Sequence, residues 1–304
     1  MILDPQNLEF CRSLLFVPTL EQRFVDKAHE RGAGAIILDL EDAVAPEHKL
    51  EAREKVTGVA GQLQAKGLTV LVRVNHASFD DMKAAVSPHV AALVLPKVDS
   101  AAEIHAAADV LAAREKELGL QAGYTRLLIL VETPTAVCNA LEIAAAHERV
   151  SGLILGSEDL ALGLSVAPSP DSLRYSAERV VMAARAAGKV PLGVPGSLAT
   201  IKEAGEFASV VALGRRIGMA GTVCIHPNQV AVVEQAYAPD EAAVTEAESI
   251  LKAFERMERE GRGAVSHEGK MLDAPIIERA RKLVVEAGHY RKRQGAAPAA
   301  AVAA

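Results

Sequence analysis

The sequence predicts a (β/α)8 barrel, or TIM barrel, with a C-terminal helical or lid extension. Eight short and almost continuously apolar runs lie between positions 13 and 225, and longer amphipathic segments separate them. Such runs are typical of strands that are buried on both faces of a parallel sheet, and the segments between them are typical of crossover helices. The chain has 304 residues, enough for a barrel of about 250 residues and an appendage.

The elements alternate in order along the chain. We predict strands at 13–18, 35–40, 69–74, 91–96, 127–132, 152–156, 190–194 and 222–225. The clearest helices between them are 21–31, 100–118 and 133–147, the last with Pro134 in its first turn, where the missing N–H costs nothing. An open doubly wound sheet is the alternative, but no GxGxxG motif follows a strand to support it.

Three regions are predicted: a catalytic barrel over 1–238, a lid or oligomerisation extension over 239–292, and a disordered tail over 293–304. Within the extension, 240–261 and 275–288 have helical patterns. The segment 261–273 (GRGAVSHEGKMLD) contains turn residues and predicts a small hairpin or lid. The end of the chain is rich in alanine and proline, which favours disorder.

Composition excludes several classes of protein. The net charge is −6, and no basic cluster with interleaved aromatic residues indicates a nucleic-acid partner. No apolar run reaches the roughly 18 residues that a membrane span needs. The three cysteines lie far apart and form neither a CxxC pair nor a disulfide framework, so the expected compartment is the cytoplasm.

Polar residues recur where the predicted strands end. They are Asp39, Glu41 and Asp42 after the second strand, Arg73 and Asn75 after the third, Lys97 after the fourth, Glu132 after the fifth, Glu158 and Asp159 after the sixth, and His226 and Asn228 after the eighth. In a (β/α)8 barrel the C-terminal ends of all strands meet at one face, which carries the active site. The sequence therefore predicts that these side chains converge.

An excess of carboxylates at that face predicts a hard divalent cation, since unpaired buried charge is costly. Mg²⁺ prefers oxygen ligands, typically one or two carboxylates with waters and substrate. Glu132 and Asp159, on adjacent strands, are the candidate ligands. Lys97 is a candidate for substrate binding, by charge or through a Schiff base, and pairing with a carboxylate is the alternative.

Taken one at a time, several of these candidate site residues have simpler structural explanations. Asp159 alone would be a helix N-cap, Arg73 alone a structural salt bridge, and Glu41 and Asp42 the first residues of a helix. Their convergence at one barrel face favours a functional site.

Eight motifs in order resemble the citrate lyase β-subunit and malyl-CoA or citramalyl-CoA lyase family, part of the HpcH/HpaI aldolase–citrate lyase superfamily. They are RSLLFVP at 12–18, GAIILDLEDAVAPEHK at 34–49, VRVN at 72–75, LVLPKV at 93–98, LVETPTAV at 130–137, LILGSEDLALGL at 153–164, GRRIGMAGTVCIHPNQV at 214–230 and GKMLDAPIIERARKL at 269–283. The resemblance covers nearly the whole chain. The segment PLGVPGS at 191–197 departs from the family pattern, which leaves the acyl specificity open.

The resemblance implies a role for each matching position. Glu132 and Asp159 match the family's Mg²⁺ ligands, and Arg73 matches its substrate-binding, oxyanion-stabilising arginine. Glu41 and Asp42 match an acidic pair near the metal waters. Asp273 matches a catalytic aspartate on a C-terminal lid, often placed over the site of a neighbouring subunit, and the family is usually trimeric or hexameric.

The implied reaction is the cleavage or formation of a 3-hydroxy-3-carboxyacyl-CoA, such as malyl-CoA or citramalyl-CoA, with an acyl-CoA and a 2-oxo acid as the other side of the equilibrium. Three alternatives stay open at this point. They are a class II aldolase that acts on free pyruvate, a citrate lyase β-subunit that acts on an acyl-carrier thioester, and a non-catalytic binding protein on an inherited barrel.

Overall fold

A computed structural model describes residues 3–199, 204–259, 265–267 and 270–296. The chain divides into two compact units, 1–236 and 237–304. The first unit contains a sheet of eight parallel strands in the order β7-β6-β5-β4-β3-β2-β1-β8. The strands are β1 (Ser13–Pro18), β2 (Ala35–Asp39), β3 (Val70–Arg73), β4 (Ala92–Leu95), β5 (Arg126–Val131), β6 (Val150–Leu155), β7 (Val190–Leu192) and β8 (Thr222–Cys224).

All eight predicted strands are confirmed, and none of their ends differs from the prediction by more than two residues. The central strands are buried along their length, as their uninterrupted Val, Ile and Leu content requires in a sheet covered on both faces. Because β1 pairs with both β2 and β8, the first and last strands are neighbours. This pairing confirms the barrel and excludes the open doubly wound sheet.

The barrel closes between β7 and β8 through two backbone hydrogen bonds. The N–H of Ala220 donates to the carbonyl of Pro191 at 2.8 Å, and the N–H of Gly193 donates to that of Gly221 at 2.9 Å. A Cβ atom at Gly221 would lie 2.2 Å from the carbonyl oxygen of Arg12, so only glycine permits this approach. The close packing of the residue before β8 against the residue before β1 therefore depends on a missing side chain.

Helices follow the strands around the barrel. They are α1 (Pro5–Leu8), α2 (Gln22–Lys27), α3 (Lys49–Ala65), α4 (Phe79–Ala85), α5 (Ala101–Glu117), α6 (Pro134–Cys138), α7 (Ala140–Ala145), α8 (Ser157–Gly163), α9 (Pro170–Ala186), α10 (Ala204–Ile217) and α11 (Pro227–Ala236), with 3-10 turns at Ala28–Arg31 and Pro46–His48. The single helix predicted over 133–147 is wrong, since it is divided into α6 and α7 at Asn139. The Asn139 amide donates to the carbonyl of Asp99 at 2.9 Å, a long-range contact that local periodicity does not encode.

The second unit consists of α12 (Glu241–Arg259), a hairpin of β9 (Val265–His267) and β10 (Lys270–Leu272), and α13 (Ala274–Ala296). The hairpin strands are antiparallel, with His267 opposite Lys270. The two helices are in contact, and the guanidinium of Arg281 lies 5.6 Å from the ring centroid of Phe254. Of the predicted tail, 293–296 belong to α13, and 297–304 lie outside the described residues. None of the described helices is long and apolar enough to cross a membrane.

Candidate active site

The ladder between neighbouring strands brings the first charged residues of the site together. Asp39, the last residue of β2, pairs in register with Arg73, the last residue of β3, and with Pro18 of β1 on its other side. Glu132 comes directly after β5, and Asp159 lies in the first turn of α8 after β6. These four charged residues therefore lie at or just after the C-terminal ends of their strands, as predicted for a (β/α)8 barrel.

Asp39 and Arg73 form a buried, bidentate ion pair. The Nε and Nη2 atoms of Arg73 donate to the two carboxylate oxygens of Asp39 at 2.8 and 2.6 Å. Asp39 is 2% exposed, and it also accepts the backbone N–H groups of Glu41 at 2.9 Å and Ala43 at 3.0 Å. It thus orients the arginine and shapes the loop that carries Glu41 and Asp42. The guanidinium lies 4.6 Å from the ring centroid of Phe16, which supports its other face.

Arg73 also contacts the acidic pair. Its Nη1 lies 3.1 Å from a carboxylate oxygen of Glu41 and 3.0 Å from one of Asp42. Burial alone would lower the pKa of Arg73, but the hydrogen bonds and charge of Asp39, with the charges of Glu41 and Asp42, raise it. Arginine has five N–H donors, and these contacts engage at most four of them. One donor remains for a substrate oxygen.

Glu132 is a buried carboxylate whose negative charge is only weakly balanced by hydrogen bonds and nearby cations. It is 5% exposed, and one oxygen accepts the backbone N–H of Lys97 at 2.8 Å. A Cβ atom at position 156 would lie 2.4 Å from the Cβ of Glu132, so Gly156 is what lets α8 begin beside this side chain. Burial, and then the negative charges of Asp159 and Glu41, raise the pKa of Glu132 to about 7. The site thus holds acidic charge that its own cations do not neutralise.

Lys97 faces the acidic residues in an unusual backbone conformation. Its φ is 53°, in the left-handed region, which turns its N–H toward Glu132, and its Nζ lies 3.6 Å from an oxygen of Glu41. Burial would lower the pKa of Lys97, but Glu41, Asp159 and Glu132 raise it. A protonated ammonium cannot act as the nucleophile of a Schiff base. The geometry therefore favours charge pairing.

Several of these residues line a cavity of about 390 Å³ at the barrel mouth. Its charged lining consists of Asp39, Asp42, Arg73, Glu132, Glu158 and Asp159. Its apolar lining consists of Phe16, Pro18, Ala43, Leu130, Leu155, Leu198, Val223 and Ile225. A volume of this size suits a small carboxylic acid or the reacting end of a longer substrate.

The donor set of Glu132 and Asp159 fits a magnesium ion. Asp159 is not the N-cap of α8, because that position is held by Gly156, and its carboxylate makes no hydrogen bond to a described residue. No group of three or more His, Cys, Asp or Glu side chains in the described parts of the chain is arranged to hold a metal. Two carboxylates, with waters and substrate as the remaining ligands, are a usual set for Mg²⁺.

Some predicted strand-end residues do not join the cavity. Five of them are not in its lining: Glu41, Asn75, Lys97, His226 and Asn228. The amide of Asn75 instead donates to Asp81 at 2.6 Å, and the N–H of Asn228 donates to Nδ1 of His226 at 3.2 Å. Asp273 lies in the second unit, where it is exposed and caps α13 by accepting the N–H of Ile276 at 3.0 Å.

Sequence reasoning placed Asp39 at the barrel mouth without a specific role, and it did not single out Gly156 or Leu198. A signal existed for Asp39, because an acidic residue at the end of the apolar run AIILDL is buried and needs a cation. The other two act through contacts between distant segments.

Comparison with known proteins places the chain among carbon–carbon lyases. Residues 12–227 match the model of the HpcH/HpaI aldolase/citrate lyase family. Citrate lyase subunit beta of Haemophilus influenzae is 34% identical over 281 residues, which cover 90% of this chain and 96% of the relative. A (3S)-malyl-CoA thioesterase of Cereibacter sphaeroides is 32% identical over 282 residues, covering 91% of this chain and 94% of the relative.

A solved structure from Mycobacterium tuberculosis is similar over most of its length. The protein CitE, in complex with magnesium, acetoacetate and coenzyme A, superposes with a TM-score of 0.69 at 29% identity and covers 91% of this chain and 98% of its own. The resemblance predicted from the eight motifs is confirmed. The chain belongs to the HpcH/HpaI aldolase/citrate lyase family.

Proposed function

We propose that the protein is a Mg²⁺-dependent lyase that cleaves or forms a 3-hydroxy-3-carboxyacyl-CoA, such as malyl-CoA or citramalyl-CoA, with an acyl-CoA and a 2-oxo acid as partners. The observation that carries the proposal is the surplus of carboxylates around one engaged arginine in the cavity. The relatives support it, because one is named for (3S)-malyl-CoA and another was solved with magnesium, acetoacetate and coenzyme A.

Glu132 and Asp159 would hold the metal ion. When bound, Mg²⁺ supplies Lewis-acid stabilisation of the negative charge that develops on the substrate oxygens. Its charge would also compensate the repulsion between these two carboxylates, which raises the pKa of Glu132 in the protein alone. The acidic surplus that is costly in the isolated chain therefore becomes a favourable feature of the loaded enzyme.

The other residues bind substrate and move protons. Arg73, held by Asp39 and by Phe16, donates its remaining N–H to the substrate oxygen on which charge develops. Lys97 contributes positive charge for the substrate carboxylate. In cleavage, a water held by Glu41 or Asp42 accepts the proton of the substrate hydroxyl, and the electrons of the broken carbon–carbon bond pass to the thioester as an enolate.

Asp273 completes the proton balance. It donates a proton to the enolate carbon in cleavage and removes the same proton from the acyl-CoA in synthesis. Asp273 is exposed and lies just before α13. Its carboxylate can therefore exchange a proton with solvent before the substrate binds. A general acid or base of this kind contributes about 10²–10⁴ in rate.

Further parts of the proposal concern the assembly. The protein is proposed to form a homo-oligomer, a trimer or hexamer, in the cytoplasm, with the second unit serving as lid or oligomerisation extension. Size-exclusion chromatography with multi-angle light scattering measures the oligomeric state of the purified chain, and a monomer at micromolar concentration would contradict it.

The first test is an assay on the purified full chain with Mg²⁺ and either malyl-CoA or citramalyl-CoA. We expect release of glyoxylate or pyruvate that EDTA abolishes and added Mg²⁺ restores. Release of free CoA with the intact hydroxy acid would show thioester hydrolysis instead. Turnover of free hydroxy-oxo acids without CoA would favour a pyruvate aldolase, and turnover of an acyl-carrier thioester alone would favour a citrate lyase β-subunit.

The role of Asp273 is tested with Asp273→Asn. Asparagine can still accept the N–H of Ile276, so the cap of α13 is retained while the acid–base function is lost. We expect kcat to fall about 10²–10⁴-fold with little change in KM for the thioester. Asp240→Asn is the matched control, since Asp240 accepts the N–H of Ala242 at 3.0 Å just before α12. Normal kcat in Asp273→Asn would remove this residue from the mechanism.

A further inference from the structure

The cavity is divided into a charged side and an apolar side. Two of the six charged lining residues, Asp39 and Arg73, end β2 and β3, and the other four follow β2, β5 and β6: they are Asp42, Glu132, Glu158 and Asp159. The apolar wall consists of Leu198, which follows β7, Val223 of β8, and Ile225, which follows β8. A substrate whose reacting oxygens lie at the charged side can place an uncharged substituent of the oxo acid against this apolar wall.

Leu198 is held in the wall by contacts to both sides of its peptide. Its N–H donates to Glu158 at 2.9 Å, and its carbonyl accepts from Nε2 of Gln229 at 2.8 Å. Glu158 also accepts the hydroxyl of Ser197 at 2.7 Å. Leu198 is 7% exposed, so this residue of the wall is packed and held in place.

Gln229 joins the two halves of the wall. Its carboxamide oxygen accepts the N–H groups of Ile225 at 2.8 Å and His226 at 3.1 Å, while its amide group donates to Leu198. Gln229 is 3% exposed, and these contacts engage both ends of its carboxamide. The segments that carry Leu198 and Ile225 are therefore linked through one buried side chain.

We propose that Leu198 determines the specificity of the lyase for the 2-oxo acid, and that the preferred oxo acid carries a small alkyl group, as pyruvate does. The proposal rests on the proposed lyase function and extends it to the substrate class. Glu158 and Gln229 act as positioning residues because they hold the backbone of Leu198. Glu158 is an acid and Gln229 is neutral, so neither offers a cation to a substrate carboxylate at the wall.

The charges exclude an oxo acid with a second carboxylate. Among the described residues, the cavity lining contains one cation, Arg73, which is engaged by Asp39, Glu41 and Asp42. Lys97 faces Glu41 at the charged side and is not part of the apolar wall. A second carboxylate directed at the wall would find no cation among the residues that the structure describes, and burial of an unpaired charge is unfavourable. Oxaloacetate is therefore a poor partner for this chain.

The wall also discriminates against the smallest oxo acid. Glyoxylate has only hydrogen in place of the alkyl group, so Leu198 and its neighbours would face an unfilled space. One methyl or methylene group in an apolar pocket is worth about 10–200-fold in kcat/KM. A preference for pyruvate over glyoxylate of at least about 10-fold is the expected size.

The test measures condensation of acetyl-CoA or propionyl-CoA with glyoxylate, pyruvate, oxaloacetate and 2-oxobutyrate in the presence of Mg²⁺, with the hydroxyacyl-CoA product quantified by mass spectrometry. We expect kcat/KM for pyruvate to exceed that for glyoxylate by about 10-fold or more and that for oxaloacetate by about 100-fold or more. A preference for glyoxylate or oxaloacetate would overturn the inference and leave the lyase intact. No product from any oxo acid would instead contradict the proposed function.

Variants place the preference on Leu198. In Leu198→Ala the ratio of kcat/KM for 2-oxobutyrate to that for pyruvate should rise about 10-fold, because the pocket gains room for another methylene. Leu198→Val, a smaller change that tests the same wall if the alanine variant fails to fold, should shift the ratio in the same direction. Leu162→Ala is the matched control, since Leu162 of α8 is 77% exposed and does not line the cavity. An unchanged ratio in both Leu198 variants would refute the assignment.

Discussion

The two ends of the barrel both bury charge, but they balance it differently. At the N-terminal end Glu115 and Arg149, both nearly inaccessible, form two parallel hydrogen bonds of 2.7 Å. The carboxylate of Glu115 also accepts the N–H groups of Thr125 and Gly123, and Arg149 donates to the carbonyl of Thr125. One acid meets one base there, and their hydrogen-bonding capacity is largely used.

At the C-terminal end the acids outnumber the bases. Arg73 and Lys97 face Asp39, Glu41, Asp42, Glu132 and Asp159. The comparison separates two uses of buried charge. A balanced pair supports the fold, whereas an acidic surplus at a cavity calls for a cationic ligand from outside the chain. Changes at the two ends should therefore affect different measured quantities.

The largest expected effect is the loss of activity in Glu132→Gln. The glutamine keeps an oxygen that can accept the N–H of Lys97 but removes a ligand charge, so Mg²⁺-dependent turnover should fall at least about 10³-fold. The free energy of unfolding without divalent cations should not decrease, because the lost carboxylate was repelled by Asp159 and Glu41. Full activity, measured as release of the oxo acid, would contradict the metal assignment.

The opposite pattern is expected for Glu115→Ala. Removal of one partner from a buried ion pair leaves Arg149 unpaired and should cost about 3–5 kcal/mol in the free energy of unfolding. The folded fraction should retain its kcat. Glu117→Ala is the matched control on the same helix, since Glu117 pairs with Arg114 at 2.8 Å at the surface and its loss should cost about 0–1 kcal/mol. Equal destabilisation in the two variants, measured by urea unfolding, would contradict the claim that the buried pair stabilises the fold more than the surface pair does.

A smaller effect, again on activity, is expected for Arg73→Lys. Lysine keeps the charge but cannot reproduce the two-pronged contact with Asp39 or the planar contact with Phe16. We expect kcat to fall about 10²–10³-fold, the usual cost of a lost oxyanion donor. Wild-type kcat would show that only charge is needed at this position.

The sequence predicts those features of the fold and the site that leave a local pattern, and it does not predict those that depend on contacts between residues distant in sequence. The strands and the strand-end residues Arg73 and Glu132 were predictable, because burial on both faces and the barrel's common C-terminal face leave a local pattern. The break at Asn139 was not, since its partner Asp99 is distant in sequence. The pinning of Leu198 by Gln229 likewise joins the loops after β7 and β8, and periodicity carries no information about it.

The smallest expected effect is the pH dependence of the stability that Glu115 contributes in its ion pair with Arg149 at the N-terminal end of the barrel. Burial alone would raise the pKa of Glu115, but the hydrogen bonds from Arg149 and from the N–H groups of Thr125 and Gly123 lower it below its ordinary value. Its contribution to stability is therefore complete above the unfolded-state pKa of about 4.3. It is lost as the pH falls through the lower folded-state value, because the unfolded chain takes up the proton first.

The measurement compares wild type with Glu115→Gln by urea unfolding between pH 7 and pH 3.5. The difference in the free energy of unfolding should be constant down to about pH 4.3 and should shrink below it. Groups elsewhere in the chain titrate in both proteins and cancel in the difference. Glu117→Gln, with its exposed partner, should give a small difference throughout. A Glu115→Gln difference that stays constant to pH 3.5 would mean that the pair contributes through its packing and hydrogen bonds alone, and the distinction between the two ends would then rest on the surplus of acids at the barrel mouth.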